Sequence, residues 1–252
     1  MRLLVLILLF LLSGCGGGEM QTSEKNSVPT TLNDLAYDTG GSGRVYLQES
    51  DSYVPYLVLS RNYGGNCLLL REYLLDETRI YNNPRRQASY YGESDIDRFL
   101  SEEFVQVYSD ELRKNIVESD IEIAAKDSIG HAGEETTVIQ RMIFLLSYTE
   151  LHGTPSRTIL EEGSPLLYFS NKENRIASFM NGEPSGWWLR SASTFGTAYT
   201  CAVSKEGAMG STGIYNPNPG GGYFSGVRPA LCLPGDMVIS HIEVGYIVEV
   251  DS

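Results

Sequence analysis

The sequence predicts an α+β domain, and three observations carry the expectation. Short apolar runs bounded by turn residues occupy positions 44–70. After Ser94 the apolar spacing changes to three and four, which is the period of a helix. From Ser164 onward Gly, Pro, Asn and Ser are dense and the apolar residues come in short pieces, which predicts strands joined by long irregular loops.

At the N-terminus, Arg2 precedes an apolar run from Leu3 to Leu12 that ends in Leu12-Ser13-Gly14-Cys15. The run is too short for an ordinary spanning helix and has the layout of a secretory signal. It resembles the lipobox of bacterial lipoproteins. That resemblance implies removal of residues 1–14 and a diacylglycerol thioether on Cys15, so the expected location is extracytoplasmic, anchored to the cell membrane by lipid. Residues 15–43 are rich in Gly, Ser, Thr, Asn and Glu and predict a flexible tether.

The expected domain covers 44–234. Arg44–Leu47, Tyr56–Ser60 and Cys67–Leu70 read as strands of a meander, the last two separated by the turn residues 62–66. Ile96, Phe99, Leu100, Phe104 and Val107 share one helix face over 95–107, and Ser94 with Asp97 makes a variant capping box in front of them. Ser109 is the expected N-cap of a second short helix through Leu112 and Ile116. Val138–Leu146 is mainly apolar and is bordered by Ser147-Tyr148-Thr149-Glu150. Residues 235–252 are expected to form a C-terminal strand extension.

Composition narrows the function classes. A net charge of −13, from 19 Lys and Arg against 32 Asp and Glu, argues against nucleic acid and against an anionic lipid surface. Of four cysteines, lipidation takes Cys15 and leaves Cys67, Cys201 and Cys232, with no C-x-x-C pair. A Cys201–Cys232 disulfide and two buried thiols stand as alternatives. His131, His152 and His241 are widely spaced, so no metal site and no cofactor are expected. Glu134-Glu135 and Glu161-Glu162 read as solvated loop acids rather than as a glycosidase pair, because neighbours in extended chain point apart. No G-x-S-x-G, S-x-x-K or P-loop occurs, and no catalytic residue is assigned.

Trp187-Trp188-Leu189-Arg190-Ser191, then Ala202-Val203 with Gly207, then Gly226-Val227-Arg228-Pro229-Ala230-Leu231 look like the terminal signature of a domain-of-unknown-function family common in extracellular proteins of Gram-positive bacteria. Leu57-Val58-Leu59, Leu68-Leu69-Leu70, Tyr81-Asn82, 94–104 and 144–150 agree in order, so the likeness spans about 44–233. That family is similar to the formylglycine-generating-enzyme-like branch of the C-type lectin fold. The resemblance implies a C-type-lectin-like domain with two helices packed on small antiparallel sheets and long C-terminal loops. Two departures bear on activity. The copper-binding cysteine pair of the sulfatase-modifying relatives has Cys201 as one counterpart, but Gly196 stands at the other position. Glu183-Pro184-Ser185 echoes a calcium-lectin loop, while Trp187-Trp188-Leu189 lacks the carboxylate and amide that complete such a site.

Strand alternation sends Trp187 and Leu189 to one face and Trp188 and Arg190 to the other, with one tryptophan expected in the core. Arg190 and Arg228 are expected to tie loop carbonyls or a carboxylate through their forks of donors. Residues 208–225 are too polar and too rich in Gly and Pro for a core, yet carry aromatics beside amides, a combination suited to sugar rings or peptides. The expected ligand contacts are therefore Trp188, Tyr215, Asn216, Asn218 and Tyr223. The functional expectation is a surface-anchored, non-catalytic binding lipoprotein whose ligand is a glycan or a protein. The alternatives are an enzyme of the formylglycine-generating-like class with altered chemistry and a structural interaction subunit of the envelope.

Overall fold

The computed structural model describes residues 28–83, 88–214 and 225–250; Cys15 and the segment 1–14 expected as a signal lie outside them. Strands form where the N-terminal apolar runs predict them: β1 (Arg44–Glu49), β2 (Ser52–Tyr63) and β3 (Asn66–Arg71) make an antiparallel meander. Gly64 and Gly65 join β2 to β3 with φ of 59° and 87°, the pair of positive φ values that matches a two-residue turn to the twist of its strands. β3 shows no polar alternation because both its faces are covered.

The next segment turns helical at Ser94, whose Oγ accepts the Asp97 N–H at 3.1 Å. The α-helix is short, however. A helix spanning Leu32–Leu35 near the N-terminus is α1, and this one, α2 (Asp95–Arg98), passes through a π-turn (Phe99–Glu103) into a 3₁₀ turn (Phe104–Val107). Ser109 caps α3 (Asp110–Asn115), accepting the Leu112 N–H at 3.2 Å. Ile96, Leu100 and Phe104 turn inward, as the spacing requires.

Eleven further strands follow among the described residues. β4 (Ser119–Ala124) and β5 (Thr136–Arg141) form a hairpin, and β6 (Ile143–Phe144) succeeds them. β7 (Ala177–Ser178) pairs with β8 (Pro184–Ser185), while β9 (Trp187–Ala192), β10 (Tyr199–Val203) and β11 (Met209–Gly213) form a three-stranded sheet. β12 (Ala230–Leu233), β13 (Ile239–Ile242) and β14 (Gly245–Val248) complete the chain. The main sheet runs β13-β14-β1-β2-β3-β12-β6, mixed because β14 lies parallel to β1.

This architecture overturns the expected α+β, C-type-lectin-like class with two helices on small antiparallel sheets. Among the described residues strand outweighs helix, 38% against 19%, and the fold is built on one seven-stranded mixed sheet with three small α-helices. The physical reason lies in range. Helical period after Ser94 starts a helix, but helices of four to six residues owe their stability to the sheet they cover. The large sheet arises because β12, buried at all four residues, inserts between β3 and β6, with Ala230 opposite Leu70. No local pattern encodes that pairing.

Two boundaries also move. Part of the segment read as tether is folded: Leu32, Leu35 and Ala36 are fully buried, and Leu32 and Asn33 donate backbone N–H groups to the Met237 and Gly235 carbonyls. Asp34 holds the turn by accepting the N–H groups of Thr30 and Thr31, both at 2.9 Å, which keeps its carboxyl below the ordinary range. In the stretch read as polar loop, β11 pairs along β10 and Ile214 is fully buried.

Candidate functional site

β9 carries the Trp-Trp-Leu-Arg-Ser run, and all six of its residues are buried. Trp188 is therefore not an exposed ligand contact. Alternation still sends its neighbours to opposite faces, but both faces are covered, so alternation selects between two interiors rather than between core and water. The Trp188 indole N–H donates to the Arg79 carbonyl at 2.7 Å, and its ring meets Tyr81 edge-on at 5.6 Å. Trp187 donates to the Arg175 carbonyl at 2.9 Å, and the Arg228 guanidinium lies 5.2 Å from its ring centroid. The other signature segment closes against them: Gly226 receives the Trp188 N–H on its carbonyl and donates to Gly186. A Cβ at Gly226 would stand 2.6 Å from the Leu74 side chain. Tyr215, Asn216, Asn218 and Tyr223, the remaining expected contacts, lie outside the described residues.

Behind β9 sits a buried charged network. Arg190 grips both oxygens of Glu150, Nη1 to Oε2 at 2.7 Å and Nη2 to Oε1 at 2.8 Å. Its Nε donates to the Glu122 carbonyl and Nη1 also to that of Leu145. Burial opposes the Arg190 charge, but Glu150 outweighs it and holds the guanidinium protonated. Glu150 itself forms a reciprocal box with Ser147, accepting the Ser147 N–H at 2.8 Å while its own N–H donates to Ser147 Oγ at 3.0 Å. This is the capping-box exchange used at a turn, and Ser147-x-x-Glu150 is its sequence signal. Tyr63 donates to Glu150 Oε1 at 2.6 Å.

Glu162, expected as a solvated loop acid, is instead fully buried. It accepts the Ala124 N–H at 2.9 Å and the Ser191 hydroxyl at 2.6 Å. Burial pushes its carboxyl up to about 7 against the opposing pull of Arg190 and these hydrogen bonds. Burial sets the upward sign, and the charge of the nearby Glu150 adds a smaller push in the same direction. Adjacent acids do point apart here, Glu162 inward and Glu161 outward. Arg228 ties the carbonyls of Arg71 and Glu72, and desolvation lowers it to about 10.

The three described thiols are enclosed. Cys67, Cys201 and Cys232 are free and buried, and burial raises each. Cys201 lies in β10 and Cys232 in β12, in different sheets. Among the described residues no three His, Cys, Asp or Glu side chains converge as a metal site. His152 Nε2 lies 2.9 Å from the Leu166 carbonyl oxygen, and His241 packs edge-on against Tyr246.

Two open recesses flank β5. A groove of about 650 Å³ runs between the 92–105 segment and the end of β5. Its wall carries Asp97, held by Arg141 at 2.8 and 2.7 Å; burial raises the Asp97 carboxyl and Arg141 pulls it down. On the other side a depression of about 450 Å³ is lined by Tyr63, Asp120, Glu122, Val138 and Gly163. It lies over the Arg190–Glu150 pair: a Cβ at Gly163 would stand 3.0 Å from Glu150 Oε1. These recesses were invisible to sequence reading, because each is lined by segments far apart in the chain: 92–105 with the end of β5 in the first, and 60–64, β4, β5 and 163–166 in the second.

Residues 64–235 match the family model described as Domain of unknown function (DUF6273). No curated protein and no solved structure matches the chain.

Proposed function

We propose that the chain, which belongs to the DUF6273 family, is a non-catalytic binding domain held at the outer face of a membrane by lipid on Cys15, with a glycan or a protein as its ligand. The observation that carries this reading is the use of the buried charges. Arg190, Glu150 and Glu162 are engaged with one another's neighbourhood and with backbone groups, so the signature strand acts as scaffold and recognition falls to the surface. Tyr215, Asn216, Asn218 and Tyr223 remain the proposed contacts of the C-terminal loop, rings for stacking and amides for directional bonds. The Leu12-Ser13-Gly14-Cys15 motif supports the anchor.

The anchor is tested by Cys15→Ala, which moves the protein from the membrane fraction to the soluble fraction; unchanged retention refutes it. Binding is tested with a glycan array and a pull-down from envelope extract, followed by titration of alanine variants at the four loop positions. Loss of a central aromatic anchor weakens binding by about thirtyfold, from roughly 2 kcal/mol. Folded variants that all bind as wild type would remove the loop from the site.

A further inference from the structure

The hydrogen bonds around the β4–β5 hairpin establish which backbone groups of β5 are free. At the hairpin end Ala125 N–H donates to the Glu135 carbonyl at 2.9 Å, and the register then steps evenly from Ala124–Thr136 to Ser119–Arg141 without a bulge. Bonded and non-bonded pairs alternate in an antiparallel ladder. The Thr137, Ile139 and Arg141 backbones therefore pair with β4, and Thr136, Val138 and Gln140 turn theirs outward. β4 displays the same alternation on its far side: Ala124 N–H donates to Glu162, and the Glu122 carbonyl accepts from Arg190. On β5 the Gln140 carbonyl accepts its neighbour Arg141 Nη1. Among the described residues, no second strand covers this edge.

Exposed edges are normally blunted by proline, lysine, bulges or inward charges, since an open row of N–H and C=O groups templates pairing. Thr136-Thr137-Val138-Ile139-Gln140-Arg141 has no proline, lysine or bulge, its arginine is engaged with Asp97, and Val138 is 59% exposed at its middle. Charge beside the strand selects the partner. The two recesses carry six carboxylates against two arginines, and Glu102 and Glu118 make no ion pair among the described residues. A net charge of −13 opposes pairing of two copies.

We propose that the outer edge of β5 takes up an extended, basic peptide segment of a partner protein as an added strand, pairing with Thr136, Val138 and Gln140 while its lysines or arginines lie against the carboxylates of the two recesses. Main-chain bonds supply affinity in such a mode and alternate side chains supply specificity. The inference rests on the reading of the chain as a binding domain, but on none of the four loop residues.

The test uses the folded protein and a capped decapeptide of alternating lysine and valine, titrated by fluorescence anisotropy at low and at physiological salt. The expected result is saturable binding that weakens with salt, and at least tenfold weaker binding for a peptide with glutamate replacing lysine. A peptide N-methylated at alternate residues, which leaves the protein untouched, binds at least tenfold more weakly in the register that faces β5. Val138→Pro removes an outward N–H without touching the ladder, and is expected to lose the peptide while keeping its melting temperature near wild type. Equal binding of the N-methylated peptides, equal binding of the glutamate peptide, no binding at low salt, or self-association through β5 in its place would each overturn the inference. If the peptide fails while envelope ligands are still captured and lost in the loop variants, this inference falls and the binding reading stands.

Discussion

Arg190 and Glu150 meet in a two-point contact at 2.7 and 2.8 Å where neither side chain is exposed. A buried pair is tolerated only when its remaining donors and acceptors are also engaged. Here Tyr63 and Ser147 supply the carboxylate, and the Glu122 and Leu145 carbonyls receive the guanidinium. The contact joins β9 to the 147–150 turn and, through the Glu122 carbonyl, to β4, so it orders segments that have little regular structure of their own.

Removing one member leaves the other charge buried alone. Arg190→Met and Glu150→Leu are each expected to cost about 3–5 kcal/mol, read as a lower urea midpoint at unchanged slope. The double variant is expected to recover part of that loss, because neither member of the pair is left facing the gap where its partner stood. A double variant at least as unstable as the sum of the singles would contradict this account.

Glu162 makes stability depend on pH. Its carboxyl is raised in the folded chain from 4.5 to about 7, so the folded state binds the proton more tightly than the unfolded one. The associated stability is complete below about pH 4.5 and is lost as pH rises through about 7, on the order of 3 kcal/mol. In Glu162→Gln the loss over this window should vanish relative to wild type. Parallel curves of melting temperature against pH would show that Glu162 ionises freely in the fold.

Both tryptophans are structural. Trp187→Ala and Trp188→Ala are each expected to cost about 3–5 kcal/mol through lost packing and a cavity. Trp188→Phe keeps most of the ring but not the bond to the Arg79 carbonyl. Since the Ser225 N–H still donates to that carbonyl, the loss should come chiefly from the smaller ring and stay below that of the alanine variant. A melting temperature unchanged in either alanine variant would place that ring outside the core.

The three described cysteines are expected to resist alkylation in the native protein and to label completely on unfolding without reductant, as free buried thiols. Mass spectrometry counts the labels. A Cys201–Cys232 pair that stays unlabelled until reductant is added would establish a bridge.

The folded body reaches back to α1. Leu35→Ala, at a fully buried position, should cost about 2–5 kcal/mol, and a chain beginning at residue 44 should melt below the longer one. Equal melting of the two would return α1 to the tether.

Much of the local structure was legible in the sequence. Apolar runs between turn residues located β1 to β3, and two serines marked the helix starts at Ser94 and Ser109, because ladder pitch and cap bonds act within a few residues. The donor fork of Arg190 likewise foretold a tie among carbonyls and a carboxylate. What only the tertiary structure decided was what covers each face. Leu32 and Leu35 looked like stray apolar residues in a tether until both were buried, with the Leu32 and Asn33 N–H groups bonded to the Met237 and Gly235 carbonyls. Trp188 looked outward until Tyr81 and Arg79 closed over it. Glu162 looked solvated until β4 and β9 enclosed it. Periodicity fixes the direction in which a side chain leaves its strand, but burial depends on which distant segment lies there, and strands as far apart as β3 and β12 pair through a register that neither one carries alone.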